Sequence, residues 1–170
     1  KGDPELSAVL AEAISHSGKI DRATHRFHTY PAGMHPDCAK QLIELFPGTV
    51  HDPFCGGGTV LVEGILAGRR VSGSDLSPVA ELVAHARTAP KSLATPLRSA
   101  ARKLAAQAQL RIDVEVPEGT EQWYEHHVAQ EIGRIVSGIP EYDEAVQPLL
   151  KAVLSSILVK SSFRESDTSN

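Results

Sequence analysis

The chain has 170 residues, of which 41% are hydrophobic and 22% charged, as expected for one globular domain with a buried core. Its formal net charge of -4 and its pI of about 6.1 argue against this segment being the main nucleic-acid-binding surface, and they leave open that nucleic acid contacts another part of the protein. The 2 cysteines form no CxxC pair, so we expect no disulfide framework and a reducing, cytoplasmic location. No apolar run approaches the length of a membrane span, so we expect none.

The first part of the chain predicts two helices separated by an irregular loop. Residues 4–17 place apolar side chains three and four positions apart, which indicates a helix with one buried face. Residues 18–36 carry Gly, Pro, His and Thr without periodicity and therefore predict a loop. Residues 36–46 predict the second helix, because Pro36 suits a first helical turn.

Short strands and helices then alternate. The sequence predicts a strand at 49–53, a glycine cluster, and a helix that begins near Thr59 and ends at Gly68. A second strand is predicted at 69–75, and Ser77-Pro78 opens the next helix as its N-cap and first residue. The predicted buried side of the first of these helices consists of Val60, Leu61, Ile65 and Leu66. This order is typical of the start of a doubly wound α/β fold.

Beyond residue 90 the pattern becomes helical. Residues 91–110 predict a helix, residues 111–116 alternate in polarity and predict a short strand, and two more helices are predicted at 120–137 and 141–160. Pro148 either kinks the last helix or marks its start. We therefore expect three regions: N-terminal helices with a loop (1–48), an α/β core (49–90), and a helical insertion with a polar tail (91–170).

The segment Asp52-Pro53-Phe54-Cys55-Gly56-Gly57-Gly58-Thr59, here called the glycine loop (52–59), predicts a ligand site. It follows a strand and opens a helix, which is the place where open α/β sheets bind ligands. Glycines allow close approach because no Cβ intervenes. The next strand ends in Asp75, 75 − 52 = 23 residues after Asp52, where a carboxylate can accept hydrogen bonds from the ribose hydroxyls of an adenosine.

Three nucleoside ligands compete for such a loop. A phosphate-binding P-loop needs Gly-Lys-Ser/Thr, and no Lys follows these glycines. A dinucleotide motif is broken at Leu61, and Thr59 and Val60 would crowd a pyrophosphate. S-adenosylmethionine has no phosphate and fits the residues best, while a tight turn serving an unrelated ligand is the alternative.

Metal and thiol chemistry are not predicted. His25 and His28 are three residues apart and His126 and His127 are adjacent, but no Cys or carboxylate set completes a familiar ligand pattern, so we expect no metal. Cys55 has no evident base beside it, and we interpret it as a small buried filler.

The glycine loop (52–59) resembles the motif D-P-F-C-G-S-G-T of the amino-group DNA methyltransferases, which modify adenine N6 or cytosine N4, with one departure at Gly57. The segment 73–78 is similar to their ribose-binding segment G-x-D-x-x-P, and 30–36 to an element that contacts the methionine end of the cofactor. Covering 28–88, the resemblance implies an incomplete Rossmann-like methyltransferase fold with a helical N-terminus and a helical insertion. It also implies S-adenosylmethionine as cofactor and DNA as substrate, as in restriction-modification. Certain tRNA guanine-N2 methyltransferases carry a similar loop, so RNA stays open.

The resemblance implies a role for each part of the site. Asp52 and the loop backbone would cradle the amino-acid part of the cofactor, Asp75 would take the ribose hydroxyls, and Leu76 and Ser77 would lie near the adenine. Tyr30 to Met34 would close over the methionine end. The expected cofactor-binding residues are Tyr30, Pro31, Ala32, Met34, Asp52, Pro53, Phe54, Cys55, Gly56, Gly58, Thr59, Asp75, Leu76 and Ser77. The structural alternatives are a helix cap for Asp52, a turn cap for Asp75 and a packing role for Tyr30.

The catalytic half of the family pattern is missing from this chain. Amino-group methyltransferases need Asp/Asn/Ser-Pro-Pro-Tyr/Phe to hold the target amine and stack the flipped base, and no two prolines are adjacent here. The chain is therefore interpreted as the N-terminal part of a larger enzyme, as one half of a split enzyme or homodimer, or as a non-catalytic cofactor-binding subunit. If nucleic acid reaches the helical region, the candidate contacts are Lys91, Arg98, Arg102, Lys103, Lys160 and Arg164.

Overall fold

A computed structural model describes residues 3–31 and 33–163, so Ala32, Arg164 and the remainder of the polar tail lie outside the described residues. The chain divides into two compact units, Lys1–Thr88 and Ala89–Asn170. The first unit contains α1 (Pro4–Ser15), α2 (Pro36–Leu45), β1 (Val50–Asp52), α3 (Thr59–Leu66), β2 (Val71–Gly73) and α4 (Pro78–Thr88). The second contains α5 (Ala94–Ala108), α6 (His126–Gly138) and α7 (Gln147–Leu158), with short 3-10 turns between them.

The first unit is built on a β–α–β arrangement. Strands β1 and β2 are parallel, with Val50 opposite Val71 and Asp52 opposite Gly73, and α3 connects them. Parallel strands end at the same edge of a sheet, so the segments that follow β1 and β2 lie side by side. This small sheet confirms the α/β character of the predicted core and places the glycine loop (52–59) next to the Asp75 turn.

Local signals set the helix boundaries of this unit much as predicted. The Asp3 carboxylate accepts a hydrogen bond from the Glu5 N–H at 2.9 Å and caps α1, whose first residue is Pro4. The hydroxyl of Ser77 accepts from the Ala80 N–H at 3.4 Å at the start of α4. Gly68, with φ +70°, follows the end of α3 in the left-handed region that glycine favours.

The predicted buried side of α3 was partly wrong. Leu61 is buried, but Ile65 and Leu66 are exposed, and the inner face is completed by Val62, Glu63 and Gly64. The correction has a physical cause in Gly64, where an added Cβ would lie 2.4 Å from Val71 Cγ1. The helix therefore meets the sheet through its smallest residue, and the side chains one and two positions later turn away from it.

The second unit is a small bundle of three helices. Its core contains Leu104 of α5, Ile139, and Leu150 and Leu154 of α7. Pro148 lies in the first turn of α7, so it marks the start of that helix rather than a kink. Within the described residues, no helix has the length and apolar character needed to cross a membrane.

The predicted strand at 111–116 is not formed. The side-chain amide of Gln130, on α6, accepts from the Val114 N–H at 2.8 Å and donates to the Val114 carbonyl at 2.9 Å. Arg134 donates to the carbonyls of Ala108 and Ile112. Side chains of one helix thus supply the hydrogen bonds that a neighbouring strand would have supplied.

Candidate functional site

Backbone hydrogen bonds join the segments that follow β1 and β2. The Ser74 N–H donates to the Asp52 carbonyl and the Cys55 N–H donates to the Ser74 carbonyl, both at 3.0 Å. The glycine loop (52–59) then turns through Gly56 at φ +48° and Gly58 at φ +78°. Gly58 is also the N-cap of α3, so the loop delivers the chain directly into that helix.

Asp75 links the two segments through its side chain. Its Oδ2 accepts a hydrogen bond from the Gly56 N–H at 2.8 Å, and its Oδ1 accepts from the Ser77 N–H at 2.9 Å. The turn cap considered from the sequence is therefore present, and a bond to the glycine loop accompanies it. The bonds from Ser77 and Gly56 lower the pKa of the Asp75 carboxyl below its ordinary value. Each oxygen keeps a further lone pair that can accept a hydroxyl.

Asp52 shapes the entry to the loop but does not cap α3. Its Oδ1 accepts from the Phe54 N–H at 3.1 Å, which is a local turn within the loop. Phe54 itself is 85% exposed, and Leu76 beside Asp75 is fully exposed. Two large apolar side chains therefore stand in solvent at the edge where β1 and β2 end.

Tyr30 lies against the glycine loop from the side of the irregular N-terminal segment. A Cβ added at Gly56 would be 3.2 Å from Tyr30 Cε1, and one added at Gly57 would be 3.1 Å from Tyr30 Cβ. Tyr30 is half-buried, as the packing alternative requires. The structure thus places Tyr30 against the glycine loop, and its expected closure over the methionine end of the cofactor stays a prediction.

Arg87 at the end of α4 anchors both the loop and the N-terminal segment, and sequence analysis missed it. Its buried guanidinium donates to the Gly57 carbonyl at 2.8 Å and to the carbonyls of His25 and His28 at 2.9 and 2.5 Å. The Thr24 hydroxyl donates in turn to the Arg87 carbonyl at 2.9 Å. Burial lowers the pKa of Arg87, and its acceptors are neutral carbonyls rather than a carboxylate.

Glu63 on α3 provides a second anchor. Its side chain is only 2% exposed and forms hydrogen bonds to Arg22 Nη2 at 3.0 Å and to His25 Nε2 at 2.7 Å. Arg22 also pairs with Asp37 at 2.5 Å. Polar contacts of Arg22 and His25 therefore hold the irregular segment to α3 and α2.

The departure from the family motif at Gly57 has a structural explanation. A Cβ added there would lie 2.9 Å from Arg87 Nη1, in addition to its close approach to Tyr30. A serine would therefore crowd the guanidinium that binds the Gly57 carbonyl. Glycine at position 57 therefore leaves the space that the Arg87 guanidinium occupies.

The predicted site residues are divided among three cavities. Cys55 and Asp75 line one of about 350 Å³, and Asp52 and Met34 line one of about 410 Å³. Met34 also lines the third, of about 490 Å³, whose wall includes Tyr30, Gly33, Thr59 and Lys19. Pro31 and Pro53 are exposed. Lys19 had no distinguishing sequence signal, because lone lysines are common on protein surfaces.

Cys55 is a buried free thiol. Burial, followed by the negative charges of Asp52 and Asp75, raises its pKa. A thiol held in its neutral form is a poor nucleophile, which favours the interpretation of Cys55 as a filler.

Comparison with known proteins gives one partial match. Over 73 residues, the chain is 44% identical to the Type II methyltransferase M.MvaI of Kocuria varians, a stretch that covers 39% of this chain and 16% of that protein. Over that stretch the chain is related to a DNA methyltransferase. No protein-family model matches the chain, and no solved structure matches it.

Proposed function

We propose that the first unit binds S-adenosylmethionine where β1 and β2 end, and that the protein of which it forms part transfers the methyl group to an exocyclic amine of a DNA base. The observation that carries this proposal is the Asp75 carboxylate, bonded to the Gly56 N–H at the shared edge of two parallel strands. An acid at that point and a glycine turn beside it are what an adenosine ligand without phosphates requires. In this proposal the β–α–β unit is the first part of a Rossmann-like sheet.

The ribose and adenine would occupy the side of Asp75. Its two oxygens have acceptor capacity beyond the bonds from Gly56 and Ser77, so ribose hydroxyls can be accepted without displacing either. Leu76, which is fully exposed, offers an apolar surface for the adenine. Burying such a side chain under a ligand is favourable by about 25 cal/mol per Å² of apolar area.

The amino-acid end would occupy the side of Tyr30. At Gly56 and Gly57 the Tyr30 side chain packs directly on the loop backbone, because no Cβ intervenes. The loop and Tyr30 would therefore form one continuous wall against which the amino-acid end lies. Tyr30, Met34 and Thr59 line one cavity with Lys19, whose positive charge suits the carboxylate of the cofactor. Asp52 would orient the loop that faces the cofactor amine.

When bound, the cofactor supplies an electrophilic methyl group on a sulfonium. The residues of this chain would bind and orient that group, while the groups that hold the target amine would come from outside the sequence 1–170 or from another chain, because adjacent prolines are absent here. DNA is favoured over RNA by the identity to a Type II methyltransferase.

Ligand selectivity tests the cofactor class. Thermal unfolding of the 170-residue chain should shift upward with S-adenosylmethionine and with its demethylated product, since a ligand that binds only the folded state stabilises it by about 2.7 kcal/mol at 100 times its Kd. ATP and NAD⁺ should give no comparable shift. An upward shift with NAD⁺ or ATP but not with S-adenosylmethionine would refute the proposal.

Product analysis tests the acceptor. The protein of which this chain forms part, or this chain together with the chain that completes it, is incubated with methyl-labelled cofactor and unmodified DNA, and the DNA is digested to nucleosides. The proposal requires label on N6-methyladenine or N4-methylcytosine. Label on 5-methylcytosine, or transfer to RNA alone, would contradict it.

A further inference from the structure

A second cluster of ligand-type side chains lies apart from the glycine loop, between the end of α1 and the start of α2. His16 follows α1, His35 is the N-cap of α2, and Asp37 is in the first turn of α2. One possible ligand atom from each of the three lies within 4.8 Å of the others, and the rings of His16 and His35 stack with centroids 5.7 Å apart.

The polar atoms of this cluster are incompletely satisfied. Nε2 of His16 and Nε2 of His35 are shielded from solvent and have no hydrogen-bond partner in the part of the chain that the structure describes. A buried polar atom without a partner costs about 1–3 kcal/mol of folding free energy, and a ligand bound to either nitrogen would offset that cost.

The Asp37 carboxylate has one oxygen committed and one available. Its Oδ1 pairs with Arg22 Nη1 at 2.5 Å, which fixes the orientation of the carboxylate. Its Oδ2 is 3.8 Å from His35 Nδ1, too far for a hydrogen bond, and that nitrogen accepts the Asp37 N–H at 3.2 Å, so the nitrogen of His35 left for a metal is Nε2. Two ligands of one tetrahedral ion, each about 2.0–2.1 Å from it, are separated by roughly 3.4 Å, and one possible ligand atom from each of the three residues lies within 4.8 Å of the others, so side-chain movement alone would bring them together.

We propose that His16, His35 and Asp37 form a binding site for a divalent first-row transition metal, with Zn²⁺ as the probe. Two imidazoles and one carboxylate form a donor set that such metals accept, whereas Mg²⁺ and Ca²⁺ prefer oxygen ligands throughout. Three protein ligands leave one tetrahedral position for water. This site does not depend on the proposed cofactor function.

The metal would join the end of α1 to the start of α2, two helices that pack against one another. The only buried residue of α1 within the described helix is Ala13, so α1 has a small apolar anchor. A metal bridge from His16 to His35 would fix the end of α1 at the start of α2, next to the segment that carries Tyr30 and Met34. Sequence spacing predicted no metal because the ligands come from two separate segments.

The test is calorimetric titration of Zn²⁺ into the full 170-residue chain and into His16→Gln and His35→Gln, with circular dichroism to verify folding. His127→Gln is the matched control, because that side chain is 68% exposed and belongs to the other unit.

We expect one equivalent of Zn²⁺ per chain, an affinity reduced on the order of tenfold or more in either cluster variant, and no change in the control. Thermal unfolding should show the same pattern, with Zn²⁺ raising the Tm of the wild type and of His127→Gln only. A folded wild type that binds no Zn²⁺, or cluster variants that bind it as tightly as the wild type, would overturn the site.

Discussion

The carboxylate of Asp75 holds together the segments that follow the two strands, and its charge state should therefore be visible in stability. Because bonds from Ser77 and Gly56 lower its pKa, the folded value lies below the unfolded value of about 3.9. A depressed carboxyl pKa stabilises the fold above the unfolded pKa, and that contribution is lost as the pH falls through the folded pKa.

We predict that Asp75→Asn is less stable than the wild type near neutral pH and that the difference shrinks as the pH falls from about 5 to about 3. Urea unfolding at several pH values measures it. Other acids, including Asp37, are common to both proteins and cancel, and the exposed Asp113→Asn serves as control. A difference that stays constant over this range would show that the Asp75 charge contributes nothing.

Gly58 is required for two separate reasons, its φ of +78° and its contact with α4. An alanine there would take a left-handed conformation at a cost of about 1–2 kcal/mol and would place its Cβ 2.9 Å from Ala84 Cβ, at a further cost of about 1–3 kcal/mol. Gly68→Ala is the matched control, because Gly68 has φ +70° and open space around it. Gly58→Ala should lose more free energy of unfolding than Gly68→Ala, and equal losses would mean that α4 can move away from the loop.

At the scale of elements, the irregular segment between α1 and α2 is positioned by Arg87 and Glu63 rather than by a hydrophobic core of its own. Arg87→Met would leave the carbonyls of Gly57, His25 and His28 without their donor, at about 1–3 kcal/mol for each buried group that finds no replacement. We predict a loss of several kcal/mol in the free energy of unfolding.

The control for Arg87→Met is Arg26→Met in the same unit. Arg26 is an exposed arginine paired with Asp21, and exposed pairs contribute about 0–1 kcal/mol. Similar small losses in both variants, measured by urea unfolding, would show that Arg87 is not an anchor.

Local signals explain which elements could be predicted from the sequence. Pro36, Pro78 and Gly68 act within one turn of their own positions, and the boundaries they mark were confirmed. The strand predicted at 111–116 was wrong because alternation shows that a segment can pair but not that a partner strand exists. At that place Gln130 is the partner instead.

The candidate site was predictable only in part for the same reason. The glycine loop and Asp75 form a recognisable spacing, and the structure joins them by a hydrogen bond. Arg87 and Glu63 act on groups that are 30 to 63 residues away in the chain, and neither carries a signal in its own neighbourhood. Long-range polar contacts of this kind need the fold before they can be identified.

At the scale of the whole molecule, the residues proposed to bind the cofactor that lie within the described residues all belong to the first of the two compact units. The second unit carries the basic residues Lys91, Arg98, Arg102 and Lys103, and their contact with nucleic acid stays a prediction. The matched stretch covers 16% of the relative, so catalysis and DNA recognition stay proposals, whereas cofactor binding can be examined on this chain.

The most direct measurement is calorimetric titration of the 170-residue chain with S-adenosylmethionine and its demethylated product, compared with Asp75→Ala, Leu76→Ser and Ile14→Ser. Leu76 is fully exposed and Ile14 is 75% exposed, so neither serine should disturb folding, and only Leu76 is proposed to contact the adenine. We predict binding by the wild type and by Ile14→Ser, weaker binding by Leu76→Ser, and none by Asp75→Ala. Binding that survives unchanged in Leu76→Ser and Asp75→Ala, or no binding by a wild type shown to be folded, would contradict the assignment of this site.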